Sequence, residues 1–221
     1  MKAVSIAGID LSGPSNPRGT CVVVLHCEEN SAVFTQHLPV AGDPEIFALI
    51  TELARNTSVV VGLDAPLSYQ PGGGLRQRDR SLRERIVKGG MRHGSVMPPT
   101  FNRMAYLTLR GLGVARLLST LDPERVQTIE VHPGATFCLR GAPLASVLAF
   151  KKQPEHRTLL LEWLSTQGIG SLPCTEPSDH FVAASGAALA AWSGRGHNPF
   201  GTHRLNRPFI RSLSHARSAG A

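Results

Sequence analysis

Two Val- and Ile-rich runs, residues 2–9 and 20–27, flank the turn-forming cluster SGPSNPRG, and their pairing as a hairpin constrains everything that follows. A third strand fits 32–40. Asp43-Pro44 then opens EIFALITELAR, where Ile46, Leu49, Ile50 and Leu53 recur at helical spacing, and the apolar run SVVVGLD follows. In this β-β-β-α-β order, a helical crossover must bring the fourth strand, 58–63, parallel to the first, which predicts an α/β fold with a mixed sheet. VQTIEV, 126–131, supplies a fifth strand.

Between strands four and five lies an excursion, 65–120. It carries Pro66, the Pro71-Gly72-Gly73-Gly74 loop, an Arg-rich helical piece and Met97-Pro98-Pro99. So long a connection implies function or mobility. Its last part, 101–119, reads as a helix, as do 155–167 and 179–193, the latter with Ser178 as N-cap. The glycine triplet is not a nucleotide-binding loop of the Walker type, because Leu75-Arg76-Gln77 follows it. It reads as a hinge that lets the Arg-rich segment close as a lid. A chain of 221 residues has room for one core. The expected organisation is a single domain over 1–211 with the insertion 65–120, then a disordered tail, 212–221.

A hydrophobic share of 42% with 18% charged residues excludes wholesale disorder. The net charge of +7 is unevenly placed: residues 76–103 hold seven Arg and Lys88 against two acids, and 195–221 hold five Arg and no acid. The rest of the chain is acidic. Basic segments on an acidic body suit a nucleic-acid partner, while Arg76, Arg80 and Arg83 equally suit a solvated helix face. The apolar stretch 181–192 is shorter than the roughly 20 residues of a membrane helix. The start, MKAVSIAGID, lacks a signal-peptide core, so the expected location is cytoplasmic with no membrane association. Cys21, Cys27, Cys138 and Cys174 form no CxxC pair and read as reduced core residues. The histidines form no HExxH motif.

Four acids border apolar runs: Asp10 and Asp64 at strand ends, Glu130 within strand five and Asp179 at a helix start. Carboxylates at the C-terminal edge of an open α/β sheet face the crevice where ligands bind. If strands one, four and five are neighbours, Asp10, Asp64 and Glu130 converge, and such a group requires a shared proton or a divalent cation, Mg2+ or Mn2+. Singly, Asp10 and Asp64 also suit turns, and Asp179 suits the helix dipole. Glu130, between Ile129 and Val131, needs a partner for a charge among apolar neighbours.

GID after the first strand, GLDAPLS after the fourth, RxRDRxLR, IEVHPGATF and DHFVAASGAALAAW together resemble a family of predicted nucleases grouped as domain of unknown function 429. The resemblance implies a ribonuclease H-like fold: a five-stranded sheet of order 3-2-1-4-5, strand two antiparallel to the rest, with acidic metal ligands at its edge. It implies a magnesium-dependent nuclease in which Asp10, Asp64, Glu130 and Asp179 are the catalytic and metal-binding set. Arg78, Asp79, Arg83, Ser95, Pro98 and His132 match the family's polar residues around the cleft. Arg78 and Arg83 are candidate phosphate donors, and Lys151 a candidate neutralising charge. His132 is a candidate for orienting a carboxylate or moving a proton, or else a strand cap. The chain departs from the family where a second acid often follows the last-helix Asp: here His180, Phe181, Val182 and Ala183 follow Asp179.

Two other classes remain open. Asp10-x-Ser-Gly resembles the phosphate-facing hairpin of actin-like phosphotransferases, but one lobe would have to form a homodimer to clamp ATP. A non-catalytic nucleic-acid-binding module would show steep salt dependence without turnover.

Overall fold

The computed structural model describes residues 4–28, 31–173 and 176–194. Strands β1 (Val4–Asp10), β2 (Cys21–Glu28) and β3 (Ser31–Leu38) form the expected meander, followed by α1 (Asp43–Asn56) and β4 (Ser58–Asp64). The insertion contributes α2 (Gln77–Lys88) and α3 (Asn102–Leu118). Then come β5 (Val126–Glu130), α4 (Pro133–Leu139), α5 (Leu144–Ala149), α6 (Pro154–Thr166), β6 (Ile169–Gly170) and α7 (Asp179–Ser193).

The sheet is mixed, in the order β5-β4-β1-β2-β3-β6. β2 runs antiparallel to its neighbours β1 and β3, while β1–β4, β4–β5 and β3–β6 pair in parallel. The expectation of five strands is corrected to six. Two-residue β6 adds to the β3 edge through Ala32 and Ile169, too short a segment to announce itself by alternation. The short helices α4 and α5 also went unanticipated. The proposed tail 212–221, the basic segment 195–221 and Cys174 lie outside the described residues.

Alternation along the strands splits the core in two. Ala7, Ile9, Val59, Val61 and Leu63 pack with Ile46 and Ile50 of α1 and Val114 and Leu118 of α3. Ile6, Val23 and Leu25 face the other way, onto α7, α4 and α6. On that side α7 touches the sheet backbone, which explains its run of small residues. A Cβ at Gly8 would land on the Ala184 carbonyl, and one at Gly62 would sit 2.6 Å from the Ala187 carbonyl oxygen. The close approach carries the start of α7 over the end of β1. Ser178 caps it, its Oγ accepting from the Phe181 N–H at 3.0 Å.

The insertion is fastened rather than loose. Buried Arg110 of α3 donates from Nε to Asp43 Oδ1 at 2.9 Å and from Nη1 to the Ser12 carbonyl at 2.9 Å and Thr20 Oγ1 at 2.8 Å. It thereby ties α3 to the β1–β2 hairpin and to the start of α1. Gly72, Gly73 and Gly74 all adopt φ between +81° and +85°, a region closed to most side chains. The segment just beyond them, expected to swing as a lid, is anchored at Arg76.

Candidate functional site

Asp10 and Asp64 are register partners at the ends of parallel β1 and β4. By alternation their side chains leave the sheet on the α7 face, in step with Gly8 and Gly62. Asp64 is held well toward its protonated form, first by burial and then by the negative charge of Asp10; Lys151 pulls it the other way. His180, in the first turn of α7, sits with Nδ1 2.7 Å from Asp10 Oδ2. A carboxylate oxygen only accepts, so the proton is on Nδ1. The bond to Asp10 raises the His180 pKa despite some desolvation, with Asp10 and Asp179 adding their negative charge. Asp179 itself is half-buried at the start of the helix.

Glu130 does not join this pair. It lies opposite Leu63, one residue short of Asp64, so its side chain leaves the sheet on the face opposite to that of Asp10 and Asp64. There Arg76 spans both carboxylate oxygens, Nη2 to Oε1 at 2.5 Å and Nη1 to Oε2 at 2.9 Å. Arg78 Nη2 donates to Oε2 at 3.0 Å, and the Leu67 N–H does so at 2.8 Å. The expected convergence of Asp10, Asp64 and Glu130 is therefore corrected: the needed partner of Glu130 is a pair of guanidiniums. Among the described residues, no three His, Cys, Asp or Glu side chains form a cluster able to hold a metal.

Arg76, a candidate for a solvated face, is instead buried, and it also holds Asp79 through Nε to Oδ2 at 2.7 Å and Nη2 to Oδ1 at 2.6 Å. Asp79 Oδ2 in turn accepts from the Arg76 N–H at 3.1 Å, closing the N-terminus of α2. Arg83 points elsewhere, donating to the Val96 carbonyl. His132 caps α4: its Nδ1 accepts from the Ala135 N–H at 3.2 Å, which leaves the proton on Nε2 to meet the Ser95 carbonyl at 2.8 Å. Both ring nitrogens are thus occupied. Burial lowers its pKa and keeps the ring neutral.

A cleft of about 830 Å³ lies at the sheet edge, lined by Asp64, Glu130, His132 and Lys151 together with Tyr69 and Arg78 of the insertion. Cys21, opposite Asp10 on β2, has its thiol pushed up to about 12 by burial and the nearby carboxylate, so it is no nucleophile. In the β1–β2 hairpin, Ser12 Oγ is 2.8 Å from Thr20 Oγ1 and also donates to the Asn16 carbonyl, while Arg110 holds the Ser12 carbonyl. The polar groups that an actin-like reading would turn toward phosphate are bonded within the hairpin.

A family model for proteins of unknown function, DUF429, matches residues 8–203. The chain belongs to DUF429. The match spans Asp10, Asp64, Glu130 and Asp179, so the whole sheet edge of this DUF429 chain lies within the family's domain. Comparison with curated proteins and with solved structures found no match. Among the described residues no helix is long and apolar enough to cross a membrane.

Two members of the site escaped sequence reading. His180 registered only as the place where a second acid was missing. Arg76 was one arginine among many, although its Arg-x-x-Asp spacing to Asp79 is that of a pair one helical turn apart.

Proposed function

We propose that this chain is a divalent-cation-dependent phosphodiesterase acting on nucleic acid, on a sheet of ribonuclease H-like kind. The reading rests on one observation above all. Asp10 and Asp64 are neighbours on one face at the strand ends, and the charge of Asp10 works against ionisation of Asp64. Two hard oxygen donors that resist carrying both their charges without a counter-ion fit Mg2+ or Mn2+. Glu130 does not fit that role, because its oxygens are taken by Arg76, Arg78 and the Leu67 N–H. The cation would be held by Asp10 and Asp64, with Asp179 at the adjoining helix start.

A bound ion supplies positive charge to a phosphoryl oxygen as negative charge develops there. The chain's own residues do the rest. Lys151 and Arg78 attract the phosphate, and Glu130 keeps Arg78 directed into the cleft. His180, its Nδ1 proton directed at Asp10, is a group able to exchange a proton near neutral pH.

The test is cleavage of DNA and RNA oligonucleotides with Mg2+ or Mn2+, with and without chelator. Chelator-sensitive cleavage that disappears in Asp10→Asn is expected. Absence of metal binding by calorimetry at millimolar Mg2+, together with no cleavage, would overturn the reading.

A further inference from the structure

We infer that the cleft is a mononucleotide pocket, one that takes a single nucleoside monophosphate, free or as the end of a strand, and not the middle of a continuous strand. This deepens the phosphodiesterase reading by naming its substrate class, and rests on it.

Size and rigidity come first. A volume of about 830 Å³ lies within the roughly 300–1,000 Å³ of small-molecule sites. The insertion wall is set before any ligand arrives: Arg76 fastens its beginning to Glu130, and Arg110 fastens α3 to Ser12, Thr20 and Asp43.

Charge comes second. Arg76 is committed to Asp79 and Glu130, but two cations on the cleft retain capacity. Arg78 spends Nη2 on Ser68 Oγ and Glu130, and no hydrogen bond engages its Nη1 among the described residues. Lys151 makes no ion pair among the described residues, and its charge reaches Asp64, His132 and His180. Both cations border the cleft, and a guanidinium and an ammonium are the side chains that attract a dianionic phosphate.

The third part is apolar. Tyr69 is 58% exposed and Met97 37% exposed, both on the cleft beside Met104. A ring and a thioether open to water on the cleft that also carries the two cations suit the flat face of a base.

The test is equilibrium binding in chelator, so that cleavage plays no part. Adenosine 5′-monophosphate, a short linear single strand and the same strand closed into a circle are titrated separately. Saturable binding of the monophosphate is expected, with the circle at least tenfold weaker. Competition by the linear strand identifies strand ends as the source, and its failure identifies the free nucleotide. Lys151→Ala should weaken the monophosphate at least tenfold and Tyr69→Ala severalfold; both side chains are exposed, and unchanged melting confirms that the variants fold. No saturable monophosphate binding, equal binding of the circle, or unchanged affinity in Lys151→Ala overturns the inference. Cleavage without monophosphate binding would fail the pocket alone, whereas monophosphate binding without any metal-dependent cleavage would fail the phosphodiesterase reading.

Discussion

Asp64 and Glu130 end adjacent parallel strands, and the sheet treats them in opposite ways. Glu130 accepts from Arg76, Arg78 and the Leu67 amide, so its charge is fully met inside the protein. Asp64 has only the longer-range pull of Lys151 against burial and the charges of Asp10 and Glu130. One residue of register decides which face each carboxylate joins. A satisfied buried charge holds structure, whereas an unsatisfied one costs stability and is retained where something outside the chain can satisfy it. The Arg76–Glu130 clamp is thus scaffold, and the Asp10–Asp64 pair is where a cation is awaited.

The sharpest way to break this contrast is Glu130→Gln. It takes from Arg78 its ion-pair partner and from buried Arg76 one of two, and removing one partner of a buried pair costs about 3–5 kcal/mol. Urea unfolding should show that loss. A change below about 1 kcal/mol would mean that the clamp is no more than a surface ion pair.

How much of this was legible in the sequence follows from the range over which each signal acts. The strands β1 to β5 and the helices α1, α3, α6 and α7 have enough residues for periodicity to declare them. β6, with two residues, and α5, with six, do not. That Asp10 and Asp64 sit at strand ends was readable from apolar runs that stop at an acid. Their facing was not, because it depends on register between segments 54 residues apart. Glu130 was rightly marked as a charge needing a partner, but the partner was sought among cations from solution. Arg76 lies 54 positions away, within a basic stretch whose other members are mostly exposed. His180 faces Asp10 only because Gly8 and Gly62 let α7 descend onto the sheet, a packing fact that composition does not carry.

The opposite experiment is Asp64→Asn, which should stabilise the protein at neutral pH. The sign follows from linkage. In the unfolded chain Asp64 titrates near 3.8, and in the folded chain it keeps its proton to higher pH. Between those values the native state binds more protons, so stability falls as pH rises through the window. Melting of the unsubstituted protein should show that decline in metal-free buffer, and Asp64→Asn should lack it. Saturating Mg2+ should restore stability to the unsubstituted protein alone. A lower melting temperature for Asp64→Asn at neutral pH would place Asp64 with the structural carboxylates.

The smallest effect belongs to His180. Its folded pKa is raised by the bond to Asp10, so its contribution is complete below the ordinary value of 6.5 and is lost as pH rises through the folded value. With 39% of the side chain exposed, water screens the pair, and the contribution stays below about 1 kcal/mol. His180→Gln should therefore barely change melting at pH 8 and lower it slightly at pH 5.5. A proton-transfer role would instead show in activity, as loss of the neutral-range limb of the pH profile with nucleotide affinity unchanged. An intact profile in the variant would leave His180 as an orienting partner of Asp10, whose position over β1 is set by how closely α7 packs on Gly8.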